Sequence, residues 1–116
     1  MLAKILVAVV AVIHLYIIVL EMFLWDTRIG RKAFNLTPDF SHETRVLAAN
    51  QGLYNGFLAA GLFWGLWLGE SGTHVTFFFL ICVLIAGVFG AVTASRKILY
   101  VQAFPALAAL TALLFS

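Results

Sequence analysis

Four long apolar segments, each almost free of charged residues, constrain this chain more than any other feature. They cover about residues 5–25, 45–68, 75–94 and 98–115. A helix rises about 1.5 Å per residue, so about 20 apolar residues cross the roughly 30 Å of hydrocarbon in a bilayer. We therefore expect an all-α polytopic membrane protein, in which residues 1–116 form a single membrane domain, a bundle of four transmembrane helices.

Composition supports the same class and argues against others. Hydrophobic residues make up 64% of the chain and charged residues 10%, and the mean hydropathy is +1.07. A soluble chain of this length has too little interior to bury so much apolar surface. The net charge of +2 is too small to indicate a nucleic-acid partner. The lone Cys82 excludes an internal disulfide, and its apolar neighbours favour an inert buried thiol.

The basic residues are distributed unevenly between the two sides of the predicted bundle. Of the seven, six lie in or directly beside the first and third connections and the other, Lys4, lies near the N-terminus. The six are Arg28, Arg31, Lys32, Arg45, Arg96 and Lys97. Loops rich in Lys and Arg stay in the cytoplasm. We therefore expect both termini outside the cytoplasm.

The first connection, residues 26–44, is polar and long for a compact bundle, which favours a lid or a short interfacial helix. Thr37 followed by Pro38 has the pattern of a helix start, with Thr37 as the capping residue. We therefore expect helical structure to begin again before the second apolar segment.

Two ionisable residues, His14 and Glu21, lie inside the first apolar segment. They are seven positions apart, close to two helical turns, and share a face with Ala3, Val7 and Val10. Trp25 follows on the same stripe and suits a membrane interface. An ionisable residue inside a membrane is a functional-site hypothesis by default.

The second apolar segment contains an unusual number of polar residues, and Ala48, Gly52, Gly56 and Ala60 repeat every four positions, which is typical of closely packed helices. If Trp25 and Arg45 lie at the same membrane interface, counting residues inwards from each places Glu21 at the depth of Asn50. A similar count from the third connection places Gln102 near the same depth. The resulting prediction is one ligand-binding cluster, composed of His14, Glu21, Trp25, Asn50, Gln51, Tyr54, Asn55 and Gln102.

These residue types leave three functions open. The first is a pocket that binds or carries a small or amphipathic ligand, with a proton linked to the carboxyl group. The second is an intramembrane enzyme that uses Glu21 and His14 as acid and base on a lipid-soluble substrate. The third is a structural or accessory subunit whose amides only join helices. The spacing of His, Cys and acidic residues predicts neither a metal site nor a cofactor.

Several of these motifs occur together in one known family. His14 with Glu21-Met22-x-x-Trp25, then Arg31-Lys32-x-Phe34, then the run Asn50–Gly61 resemble the domain of unknown function 1304 family, whose members are often labelled "epimerase". The resemblance covers essentially the whole chain and implies a four-span protein of the bacterial inner membrane. It implies no activity, and these residues supply no mechanistic basis for the label. Because four short helices are too few for alternating access alone, we expect a homodimer, with the lipid bilayer and a small ligand as the other partners.

Overall fold

The protein is all-helical, as predicted, and the computed structural model describes all 116 residues. The helices are α1 (Leu2–Met22), α2 (Arg28–Phe34), α3 (Pro38–Glu43), α4 (Arg45–Leu68), α5 (Thr73–Thr93) and α6 (Phe104–Leu114). A 3-10 segment, Gly69–Gly72, joins α4 to α5, and a π-helical segment, Leu99–Ala103, leads into α6.

Two helical stretches are long and apolar enough to cross a membrane. They are Leu2–Met22 and Arg45–Thr93, the second of which contains α4, the 3-10 segment and α5. A shorter apolar helical stretch, Leu99–Leu114, follows. Length and composition therefore identify two candidate spans, which is a coarser result than the four predicted from sequence.

The polar connection between α1 and α4 folds into two short helices. Thr37 caps α3, because its hydroxyl oxygen accepts a hydrogen bond from the Phe40 backbone N–H at 3.2 Å, and Pro38 fills the first turn. This confirms the predicted helix start. Helix α2 is capped in the same way by Thr27, and Asn35, which follows its last residue Phe34, has a left-handed φ of 57°. Two capping threonines thus stabilise the helices of a segment that contains few apolar residues.

The chain divides into two compact units. The first comprises Met1–Ile13 and Leu58–Ser116, and its core is built from small and branched apolar side chains of α1, α4, α5 and α6. That core consists of Val7, Val10, Ala11, Leu62, Leu80, Val83, Ala106, Ala109 and Leu110. The second unit, His14–Phe57, contains the end of α1, the connection and the first half of α4.

Glycines allow close helix contact in the first unit. A Cβ atom added at Gly87 would lie only 2.8 Å from the backbone nitrogen of Ala103, in the π-helical segment. A Cβ atom added at Gly65 would overlap the Thr76 hydroxyl group. The π-helical segment ends two residues before Pro105, and such turns disrupt regular helical hydrogen bonding. Helix backbones therefore approach closely at Gly65 and Gly87 in this unit.

Candidate functional site

A buried carboxyl group, that of Glu21, defines the candidate site. Glu21 lies in the last turn of α1 and is only 6% exposed. The side-chain amide of Asn55, on α4, donates a hydrogen bond to Glu21 Oε1. Both residues belong to the second compact unit, so the pair is a feature of that unit alone.

The absence of a side chain at Gly52 brings α4 close enough to α1 for this hydrogen bond. A Cβ atom at Gly52 would lie 2.5 Å from Met22 Cγ and 3.2 Å from Glu21 Cβ. At Gly56, one turn further along, the nearest atom is Ile18 Cδ1, at an ordinary contact distance of 3.7 Å. Of these two glycines, Gly52 therefore marks the closer contact between α4 and α1, at the depth of Glu21 and Met22.

His14 is completely buried, two turns before Glu21 on the same helix. Ala3, Val7 and Val10 are buried as well, so the predicted stripe is the inward face of α1. At about 1.5 Å per residue, seven residues separate His14 from Glu21 by about 10 Å along the helix axis. The two ionisable groups therefore occupy different depths of one buried face.

Trp25 lies beyond the end of α1 and holds the connection together. Its indole Nε1 donates a hydrogen bond to Thr44 Oγ1 at 3.0 Å, and its ring packs on Phe34 with centroids 4.8 Å apart. The Thr44 hydroxyl in turn donates to the Phe40 carbonyl oxygen at 2.6 Å. The polar atom of Trp25 is therefore engaged by a residue of the connection.

Three of the predicted cluster residues are exposed on α4 and do not contact Glu21. Asn50 donates a hydrogen bond to the Val46 carbonyl oxygen of its own helix at 3.1 Å. Tyr54 is 64% exposed, and its ring meets the edge of Phe57. Gln51 is also exposed. Gln102 lies half-buried in the π-helical segment and belongs to the first compact unit.

The predicted register, which set Glu21 level with Asn50, differs from the structure by about one helical turn. The inward count assumed that α1 continues to Trp25, whereas the helix ends at Met22. An earlier end by itself would pair Glu21 with residues nearer to Arg45. Glu21 instead meets Asn55, so the first turns of α4 extend past the end of α1. The sequence analysis placed Glu21 and Asn55 in the same predicted cluster, but it did not predict that these two side chains contact each other.

An open groove of about 440 Å³ lies beside this helix pair. Met22, whose backbone packs near Gly52, forms one wall, and the first turns of α4 form the rest. The lining residues are Met22, Arg45, Val46, Ala49, Asn50 and Leu53. The groove is mainly apolar, with Arg45 and Asn50 as its polar members.

A second polar cluster, which sequence reasoning missed, is centred on Asp26 in the connection. Asp26 Oδ1 accepts hydrogen bonds from Ser41 Oγ at 2.7 Å and from Arg31 Nη1 at 3.2 Å. Asp26 Oδ2 lies 3.1 Å from His42 Nδ1. Hydrogen bonds from Ser41 and then His42 hold the pKa of Asp26 below its ordinary value. The signal available in the sequence was the polar composition of the whole connection, residues 26–44.

The Asp26 cluster contains Ser, His and Asp side chains but not in a nucleophilic arrangement. In a catalytic triad the imidazole lies between the hydroxyl and the carboxylate. Here Ser41 and His42 both bind the carboxylate, and Ser41 is fully buried. The cluster therefore orders the connection and leaves Ser41 without an activating base. Elsewhere, the structure gathers no group of three or more His, Cys, Asp or Glu residues that could hold a metal ion.

Comparison with known proteins supports the predicted resemblance. The chain is 28% identical over 108 residues to the uncharacterized protein YpaA of Lactococcus lactis subsp. lactis (strain IL1403), and the match covers 91% of each chain. No solved structure matches it. Residues 8–114 match the family described as "Protein of unknown function (DUF1304)", and the chain belongs to that family.

Proposed function

We propose that this protein is a multi-pass protein of the bacterial cell membrane that binds and carries a small amphipathic ligand at the Glu21–Asn55 pair. In this proposal α1, α4, α5 and the stretch Leu99–Leu114 cross the membrane. The basic connection between α1 and α4 lies in the cytoplasm, and both termini lie outside.

The exposed surface supports membrane insertion. Large apolar side chains are exposed along α1, α4, α5 and α6, among them Tyr16, Phe63, Trp67, Phe78 and Phe89. Soluble monomers rarely expose contiguous apolar patches larger than a few hundred Å². Exposing such a surface to water costs free energy, whereas exposing it to the hydrocarbon of a bilayer does not.

The main support for a ligand-binding site is that the Glu21 carboxyl group lies in an uncharged environment. Its hydrogen-bond partner is the uncharged Asn55, and Glu21 takes part in neither of the ion pairs that Asp26 forms. Removing a carboxylate from water without a compensating cation costs several kcal/mol. A group kept at that cost suits a ligand that brings its own hydrogen-bond donor or positive charge, and it can exchange a proton as the ligand binds.

The groove beside the helix pair supports an amphipathic ligand. Its apolar walls suit a short hydrocarbon body, and Arg45 suits a polar end. Met22 lines this groove and adjoins Glu21 in sequence, so both features belong to the end of α1.

The enzyme alternative is supported by less. Glu21 and His14 share a buried face, which suits acid–base chemistry, but their axial separation of about 10 Å is too long for both to act on one bond of a small substrate. A substrate long enough to reach both groups would be required. The accessory-subunit alternative needs no ligand at all. A measurement of bound ligand therefore distinguishes it from our proposal.

Native mass spectrometry of the protein purified in mild detergent tests the ligand site. We expect a bound small molecule on the wild-type chain and its loss from the Glu21→Gln variant, because glutamine keeps the shape but removes the titratable group. Glu70→Gln, which neutralises an exposed carboxylate, is the matched control and retains the ligand. Ligand-free wild-type protein, or equal ligand retention in all three proteins, would contradict the proposal.

A further inference from the structure

One face of α4 presents uncharged hydrogen-bonding side chains that the chain leaves without partners. The exposed Gln51 and Tyr54 side chains form no hydrogen bond within the chain. Asn50 uses one amide hydrogen on the Val46 carbonyl oxygen, which leaves its Oδ1 and second hydrogen for another molecule. Gln51 lies one helical turn before Asn55, whereas Asn50 and Tyr54 lie farther round α4 from the Glu21–Asn55 pair.

Exposed apolar residues flank these polar groups at helical spacing. Leu47 precedes them by about one turn and Phe57 follows by about one turn, and both are exposed. Together they form a stripe along α4, composed of Leu47, Asn50, Gln51, Tyr54 and Phe57. Alternation of apolar and hydrogen-bonding side chains along one face is the pattern of a helix–helix interface in a membrane.

The occupant of this stripe follows from the chemistry of its polar groups. In hydrocarbon an exposed amide without a partner is costly, so the stripe requires a protein neighbour if α4 crosses the membrane as proposed above. From Val46 to Leu68 the helix contains no charged residue. Amides and a phenol each carry both a donor and an acceptor, so each can pair with its own counterpart.

A two-fold axis perpendicular to the membrane brings identical residues together at the same depth. Two copies inserted in the same orientation place Gln51 beside Gln51 and Tyr54 beside Tyr54 of the other copy. A carboxylate or an ammonium group would repel its counterpart in this arrangement, whereas these three side chains do not. We propose that the α4 stripe is the interface through which two copies of this chain associate.

Cysteine crosslinking in native membranes tests this interface. In a background where the single cysteine is removed by Cys82→Ser, Gln51→Cys and Tyr54→Cys are introduced one at a time. Disulfide formation requires Cα atoms within about 7 Å, so mild oxidation should produce covalent dimers from the stripe. Tyr16→Cys and Val19→Cys, at exposed positions of α1, are the matched controls and should remain monomeric.

Two results would overturn the interface. One is membrane-embedded monomer from both stripe variants, which would mean that lipid covers the face. The other is an equal dimer yield from the α1 controls, which would mean random collision. Recovery of the chain in the soluble fraction would instead overturn the membrane proposal on which this inference rests.

A second variant tests the hydrogen bonds themselves. Gln51→Leu combined with Tyr54→Phe keeps the volume of the stripe and removes its polar atoms. We expect self-association in detergent micelles, measured by energy transfer between labelled copies, to weaken about tenfold, because two interhelical hydrogen bonds are lost. Unchanged or stronger association would contradict the role assigned to these groups.

Discussion

Two carboxyl groups five residues apart, those of Glu21 and Asp26, occupy opposite kinds of environment. Glu21 is buried at the end of an apolar helix and receives one hydrogen bond, from the neutral Asn55. Asp26 lies in the polar connection and is met by Ser41, Arg31 and His42. The contrast teaches that a carboxyl group with many polar and charged partners stabilises a fold, whereas a buried one with a single neutral partner is better suited to binding.

The helix pair around Glu21 can be disturbed most strongly through Gly52. Gly52→Ala places a Cβ atom against Met22 and Glu21, and we expect a loss of about 1–3 kcal/mol of stability from overpacking. The measurement is the thermal midpoint of the purified protein in detergent.

Gly56→Ala is the matched control for this change. Its added Cβ atom meets only the tip of Ile18, at 3.7 Å. Alanine also favours a helix over glycine by up to about 1 kcal/mol, so this variant should be unchanged or slightly more stable. If the two alanine variants behave alike, the close approach at Glu21 does not exist in solution.

The Asp26 cluster can be tested through its response to acid, with a smaller expected effect. Because the pKa of Asp26 is lowered in the folded state, its contribution to stability is present above the ordinary aspartate value of about 3.9 and is lost as the pH falls through the lower folded value. Ser41→Ala removes the largest cause of that shift. We therefore expect acid unfolding of Ser41→Ala, followed by circular dichroism, to begin at a higher pH than in the wild type.

Asp39→Asn is the control for the acid experiment, because Asp39 is exposed and lies outside the cluster. Its acid unfolding should follow that of the wild type. An unchanged acid limb in Ser41→Ala would show that the hydroxyl of Ser41 does not support Asp26, and it would weaken the contrast with Glu21.

The inward face of α1 was predictable because helical periodicity alone determines it. Residues at the spacing of His14 and Glu21 must share a face of any regular helix, and the burial of Val7 and Val10 on that face follows from the same arithmetic. Nothing beyond the local sequence was needed for this part of the site.

The register between α1 and α4 was not predictable, because it depends on where α1 ends and on how far the first turns of α4 extend past that end. Phe23, Leu24 and Trp25 are as apolar as the residues before them. The helix ends where the Thr27 hydroxyl donates to the Leu24 carbonyl oxygen, at 2.6 Å, and where Gly30 packs against that carbonyl group. A Cβ atom at position 30 would overlap it.

The Asp26 cluster was not predictable for a related reason. Asp26 and Ser41 are 15 positions apart, and their contact depends on two turns of specific geometry between them. One of these turns contains the left-handed Asn35, a conformation that few non-glycine residues adopt. Periodicity identifies faces of helices, but it does not specify the path of a loop.

The stability of Glu21→Gln compared with Asp26→Asn tests the central claim most directly. If Glu21 serves binding and Asp26 serves the fold, thermal unfolding in detergent near neutral pH should show Glu21→Gln as stable as the wild type or more stable, since a buried ionisable group is gone while Asn55 keeps an oxygen acceptor. Asp26→Asn should be less stable, because Arg31 and His42 lose their carboxylate. A Glu21→Gln protein destabilised by about 1.5–3 kcal/mol, the worth of a charge-assisted hydrogen bond, would contradict the account.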